Sequence, residues 1–342
     1  RGDRLSLNGY ERTTTPFLEE LNRKGMVRNW GIGVSGTTCS ISSNNLLLTG
    51  VNSLPDTKGE VFLAPTIFQY AKAAGYKTIY FDGQLSYRWL GKPSDVETFD
   101  EWITADELKT GEWHDVDAEI ARRVREIVGN STGNFIWINK FGVHWPYHPS
   151  YPAAEAKWLP TPDRTATSSG SSESLLPDVH PTHVGDGLSE KFFESVRNSY
   201  DNAILYNSES FFRTLVGDAL LPPENTIFVY TSDHGQNLGE DRKLISHCSE
   251  TANEANVPLF IIADPNQLPA TATDTLYRAS HANLFPTLLD LMNVPASGEP
   301  RKQSKNLSPS LFKARAEDSK PRVYFSGGLH SETSGRKNLF DK

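Results

Sequence analysis

Asp233 and His234 stand side by side in "NTIFVYTSDHGQNLGE", directly after a strand-like apolar run. Carboxylate oxygen and imidazole nitrogen are common ligands of Zn²⁺, so the pair suits a hard or borderline metal. The competing reading is an Asp that caps a turn beside a His that hydrogen-bonds locally. Two more histidines occupy matching positions. His144 follows the run "NFIWINK", in "FGVHWPYHP", and His247 lies in "LISHCSE", upstream of "VPLFIIA". A fourth stretch, "GTTCSISSNNLLLTG" at 36–50, follows the strand-like "MVRNWGI". It offers hydroxyls at Thr37, Thr38, Ser40, Ser42 and Ser43 and a thiol at Cys39. An unaided Ser or Thr hydroxyl is a weak nucleophile at neutral pH. Bonding to a metal lowers its pKa, and a helix N-terminus favours the anion. The attacking residue therefore belongs on the first turn of the helix that ends in "LLLTG". Read alone, the stretch is a polar turn before a core helix.

These groups meet only if the intervening elements bring them together. Thr13-Thr14-Thr15-Pro16 reads as a helix start and Gly25 as its stop. Strand-like runs recur at residues 77–81, 134–139, 226–230 and 257–262. Helical patterns lie at 65–74, 115–128, 190–216 and 282–292, the third with Phe193, Val196, Tyr200, Ile204 and Phe211 at helical spacing. Alternating strands and helices predict an α/β fold, a mostly parallel central sheet with helices on both faces. Continuous apolar strands fit burial on both sides. In such a sheet ligands bind beyond the carboxyl ends of the strands. The Asp-His pair, His144, His247 and the hydroxyl stretch all gather at one edge of the predicted sheet.

One domain over 1–342 is expected, since no boundary is evident. Residues 160–187 are rich in Ser, Thr, Pro and Gly and read as a disordered surface loop or a mobile lid over a site. The remaining histidines carry blander readings. His180 and His183 are solvated in that segment, and His114 sits at a helix start. His148 is a rim residue, His281 bonds a backbone group ahead of "ANLFPTLLDLM", and His330 is uninformative. The 342 residues carry 34 basic and 42 acidic side chains, a formal charge of −8, with 37% hydrophobic residues. That composition fits a globular chain and, lacking a basic patch, excludes nucleic acid as a partner. No run approaches a membrane span and no signal peptide opens the chain. The first residue is Arg1 rather than Met, so the sequence reads as a piece of a longer protein. Two cysteines, Cys39 and Cys248, exclude a disulfide framework. Cys39 reads as a small buried neighbour. Cys248 adjoins His247, which leaves a pairing of the two open.

Four stretches together carry a resemblance. "RGDRLSLNGYERTTTPFL", "YDNAILYNSESFF", "TSDHGQNLGE" and "HANLFPTLLDLM" resemble, in order, the bacterial phosphoethanolamine transferases, membrane-anchored members of the alkaline phosphatase and sulfatase superfamily. The match runs from Arg1 to about Val294. It implies an alkaline phosphatase/sulfatase-like fold, a Zn²⁺ site, and a monomeric periplasmic domain behind N-terminal transmembrane helices at the bacterial inner membrane. It assigns Asp233, His234 and the nucleophilic hydroxyl to zinc, and His144 and His247 to the substrate phosphate or a second zinc. The family's Glu ligand would lie upstream of Arg1; Asp3 does not match its position. Laying "LLLTG" over the sulfatase ending puts Ser40 at the nucleophile. Ile41 and Asn44 replace the Pro and Arg of the sulfatase signature, so cysteine conversion is not expected. Counting from Gly36 instead favours Thr38 or Cys39, with Thr37 a further option; Ser40 is the first choice and Thr38 the second. Asn202, in "YDN", is either a substrate contact or a helix-to-loop hydrogen bond.

The implied activity moves phosphoethanolamine from phosphatidylethanolamine to lipopolysaccharide (lipid A or core) or another envelope glycan, through a covalent enzyme intermediate. The alternatives are phosphoglycerol transfer, a sulfatase or phosphodiesterase of the same superfamily, or a non-catalytic lipid- or metal-binding domain.

Overall fold

The computed structural model describes all residues except 53–55, 57, 85–97, 163–181, 184–188, 241–243, 269–275, 296–305, 307, 320–322, 327–335 and 339–342. The order of elements follows the sequence punctuation. Helix α1 (Pro16–Arg23) starts after Thr15 with Pro at its first position. Strand β1 (Val27–Val34) leads into α2 (Ser40–Thr49). Two short helices, α3 (Glu60–Leu63) and α4 (Ile67–Ala73), precede β2 (Lys77–Asp82) and β3 (Glu101–Ile103). Helices α5 (Ala105–Leu108) and α6 (Trp113–Asn130) come before β4 (Asn134–Asn139). The two-residue β5 (Thr182–His183) is followed by the long α7 (Glu190–Val216), whose N-cap Ser189 accepts from Phe192 N–H. Strands β6 (Phe228–Thr231), β7 (Asn237–Leu238), β8 (Leu244–Ser246) and β9 (Asn256–Ile262) then run up to α8 (Leu284–Leu291). A last pair, β10 (Val323–Phe325) and β11 (Arg336–Asn338), is antiparallel.

Strands β2 and β9 are buried on both faces, whereas β4 and β6 are half-buried. On one side Ile79, Phe81, Phe260 and Ile262 pack with the apolar faces of α1, α6 and α7. On the other, Leu259 and Ile261 meet Leu47 and Leu284, and Tyr80 meets Phe68 and Phe285. Helices therefore cover both faces, as expected for an α/β layer arrangement.

The sheet departs from the expected mostly parallel form. The strands of the central layer make two three-stranded pieces, β3-β2-β4, which is parallel, and β1-β9-β6, in which β9 runs antiparallel to both neighbours. The reason is in the connection. Parallel neighbours need a crossover, usually a helix, and the described residues of 232–255 hold only β7, β8 and a 3₁₀ turn. A cleft of about 1020 Å³ separates the two pieces, lined by β4 on one side and β6 on the other. The segment expected at 160–187 lies mostly outside the described residues, as do His180 and His330. Its described part includes β5, which joins β8 and β7 in a small antiparallel sheet. Among the described residues no helix is long and apolar enough to cross a membrane.

Candidate active site

Because β9 is antiparallel to β1 and β6, the carboxyl ends of β1 and β6 and the start of β9 share one edge: Val34 pairs with Asn256, and Thr231 with Leu259. The hydroxyl stretch leaves β1 there, the Asp-His pair leaves β6, and His247 follows β8. His144 comes from the turn after β4. Four of these groups, Ser40, His144, Asp233 and His234, line the cleft where it reaches this edge.

Helix α2 begins at Ser40, with Cys39 as N-cap. Its three leucines anchor it in three directions. Leu46 packs with Val51 and Val61, Leu47 with Trp30 and Leu259, and Leu48 with Phe68 and Phe285. Gly50 ends the helix at φ +70, and a Cβ there would lie 2.4 Å from the Phe285 ring, so only glycine fits. The rigid first turn aims Ser40 Oγ at His234 Nε2, 2.8 Å away. The other candidate hydroxyls are engaged elsewhere. Thr38 Oγ1 donates to Ser249 O at 2.9 Å, and Thr37 Oγ1 donates to Cys39 O at 3.1 Å; both residues are fully buried.

The tautomer of His234 follows from its partners. Nδ1 lies 2.5 Å from Gly235 O, so it carries the proton and donates, which leaves the Nε2 lone pair facing Ser40. His144 repeats the device, with Nδ1 2.5 Å from Trp145 O. Asp233 Oδ1 accepts from His234 N–H at 2.9 Å, and its Oδ2 lies 3.5 Å from His234 Nε2. Gly235 permits this close turn, since a Cβ would meet Asn253 O at 2.2 Å. His247 stacks on His234 with ring centres 4.1 Å apart, and His144 stands 6.3 Å from His247. Burial lowers the pKa of His144, and lowers that of His247 to about 2, with His234 and His144 adding to the effect on His247. Both are neutral imidazoles at physiological pH, able to donate or accept a hydrogen bond or to ligate.

The donor set suits a metal in part. Metal–ligand bonds of 2.0–2.2 Å in a tetrahedron put neighbouring donors about 3.4 Å apart. Asp233 Oδ2 and His234 Nε2 already have that spacing, and Ser40 Oγ stands 2.8 Å from His234 Nε2, about half an ångström closer than two ligands of one ion. Among the described residues no three His, Cys, Asp or Glu side chains form a metal cage by themselves. Ser40, Asp233 and His234 could hold an ion only as three of its ligands, with one position left over.

Cys39 and Cys248 form a disulfide. It joins the residue before Ser40 to the residue after His247, and Cys248 N–H also donates to Thr38 O at 2.9 Å. His281, which the sequence suggested as a backbone-bonding residue, is a strut behind the site. Its Nε2 lies 3.0 Å from Ser232 O, and its Nδ1 accepts from Gly36 N–H at 3.4 Å. It thus ties the end of β6 to the segment after β1. Burial lowers its pKa from 6.5 to about 4. A histidine whose folded pKa is depressed stabilises fully above its unfolded value, and that stability is lost as pH falls from about 6.5 to about 4. The expected loss is about 3 kcal/mol. Chemical denaturation of His281→Gln across this range should show a flatter profile than the parent chain; superimposable profiles would contradict the assignment.

Asn202 is not brought to the site. Its Oδ1 accepts from Lys157 N–H and Trp158 N–H at 2.9 and 3.0 Å, and its Nδ2 donates to Trp158 O at 2.9 Å. The surrounding motif is structural. Asp201 accepts from Tyr10 Oη and Arg12 Nη1 at 2.8 and 2.9 Å, and Glu209 caps α1 through Phe17 N–H at 2.8 Å. The stretches "SLNGYERTTTP" and "YDNAILYNSESFF" therefore hold each other. Of the other histidines, His114 sits on α6 against Asp115 and Tyr206, and His148 opens a 3₁₀ turn.

The chain is similar to known proteins along most of its length. It is 24% identical over 286 residues to the phosphoethanolamine transferase EptC of Escherichia coli (strain K12), covering 82% of this chain and 44% of that one. It is also 24% identical over 306 residues to the Kdo(2)-lipid A phosphoethanolamine 7''-transferase of the same organism, covering 84% and 49%. The chain thus spans about half the length of the curated relatives it matches. Its fold resembles the C-terminal periplasmic domain of EcEptC from Escherichia coli in complex with Zn, at TM-score 0.71 and 19% identity, over 100% of this chain and 90% of that one. The Sulfatase family model matches residues 1–294, so this chain belongs to the Sulfatase family.

Proposed function

We propose that the chain is the catalytic part of a phosphoethanolamine transferase, that Ser40 is its nucleophile, and that it works at the periplasmic face of the bacterial inner membrane. The observation that carries this is the 2.8 Å contact from Ser40 Oγ, at a helix N-terminus, to Nε2 of His234. The transferase names of the relatives and the disulfide, which persists in oxidising compartments, support the reading.

Ser40, Asp233 and His234 would hold zinc. Bound there, zinc lowers the pKa of the Ser40 hydroxyl. Ser40 Oγ attacks the phosphorus of phosphatidylethanolamine; the P–O bond to diacylglycerol breaks and diacylglycerol leaves with a proton. A hydroxyl or phosphate of lipopolysaccharide or another envelope glycan then displaces Ser40, and the serine recovers its proton. His144 and His247, with ring centres 6.3 Å apart, would face the equatorial phosphate oxygens where charge accumulates.

Incubation with fluorescent phosphatidylethanolamine should release labelled diacylglycerol. Dipicolinate should stop the release, and added Zn²⁺ should restore it. Release only from phosphatidylglycerol would favour phosphoglycerol transfer. No turnover of either lipid, with no zinc retained, would favour a binding domain.

A further inference from the structure

The turn that carries His144 is held from behind by a carboxylate. After β4 ends at Asn139, residues 140–143 lead to His144. Asp117, on α6 and fully buried, accepts from Phe141 N–H through Oδ1 at 2.8 Å and from Gly142 N–H through Oδ2 at 2.9 Å. Asn207, on α7, donates Nδ2 to the same carboxylate at 2.5 Å and accepts from Lys140 Nζ at 2.7 Å. Lys140 Nζ lies 3.7 Å from Asp117 Oδ2 and 3.8 Å from the centre of the Phe211 ring.

Such an arrangement is a poor way to gain stability alone. Replacing a buried ion pair by apolar side chains is often neutral or stabilising. What the carboxylate does is geometric. Gly142 adopts φ +65, a conformation that leaves a turn many alternatives. Holding two consecutive N–H groups with one rigid acceptor fixes both peptide planes. That sets the direction in which the chain leaves towards His144, two residues on. His144, its Nδ1 bonded to Trp145 O, lines the cleft from that turn.

We propose that Asp117, braced by Asn207 and Lys140, is a positioning residue for the transfer site, fixing the turn from which His144 reaches the substrate phosphate. This rests on the function proposed above. The test is a double-mutant cycle. Asp117→Asn leaves one acceptor for two N–H groups and should lower kcat/KM by about 10–100-fold, mostly in kcat. In a His144→Ala background the same change should lower it by less than about twofold. An undiminished loss in that background overturns the proposal, because a general structural role would not depend on His144. If Asp117→Asn does not fold, Asn207→Ala carries the same cycle with a smaller effect. Imidazole NMR of histidine-labelled protein decides the point without turnover. The His144 signals should move in Asp117→Asn while those of His281 stay in place; unmoved His144 signals overturn the proposal. A parent chain that turns over no lipid defeats the functional reading, yet leaves this NMR comparison decisive.

Discussion

Ser40→Ala should reduce lipid turnover by on the order of 10⁴–10⁶-fold while leaving the fold intact. The side chain sits at the start of α2, and its contact with His234 is worth about 1 kcal/mol to stability. Helix α2 is instead held by Leu46, Leu47 and Leu48 in three separate apolar clusters. Thermal unfolding should therefore barely move, whereas diacylglycerol release should stop. Thr38→Val provides the contrast. It removes a buried hydrogen bond to Ser249 O, so it should lower stability and retain most of the chemistry. If the two variants exchange these phenotypes, the nucleophile is Thr38.

Replacing both cysteines by alanine should lower stability by about 2–5 kcal/mol, since Cys39–Cys248 closes a loop with a sequence separation of 209. The same change should reduce kcat more than it raises KM, because the bond joins the neighbours of Ser40 and His247. The loss in rate should be partial. Cys248 N–H still reaches Thr38 O, and Thr38 Oγ1 still reaches Ser249 O, so the two segments stay in register. Buried Glu254 also braces this loop, accepting from Ser249 N–H at 2.6 Å and Thr251 Oγ1 at 2.8 Å. Denaturant unfolding and steady-state rates with and without reductant would check both effects. Unchanged stability after reduction would contradict them.

The sequence was most legible where a periodic pattern met clear punctuation. Helix α7 runs over Glu190–Val216, between Ser189 and Gly217, as its spaced aromatic and aliphatic residues predict. Strand β4 covers Asn134–Asn139, also as predicted. Three-residue β3 escaped notice because so short a run carries no periodicity. Antiparallel β9 departs from the mostly parallel sheet that the sequence predicts, although the lack of any helical pattern in 232–255 was a usable signal. The candidate site was read from strand ends, and the structure brings Ser40, His144, Asp233 and His234 to one cleft.

Which hydroxyl faces that site was only partly legible, with Ser40 ranked ahead of Thr38. It depends on the helix starting at Ser40 rather than two residues earlier, and no capping side chain marks the start. Asp117 escaped for a different reason. Its partners lie 24, 25 and 90 residues away, and only folding brings them together.

The central claim is a covalent phosphoethanolamine-serine. Incubating the protein with phosphatidylethanolamine and no acceptor, then mapping the modified peptide by mass spectrometry, addresses it most directly. The modification should fall on Ser40 in the peptide spanning 36–50 and disappear in Ser40→Ala. Phosphoethanolamine on Thr38, or turnover with no modified residue at all, would contradict the account.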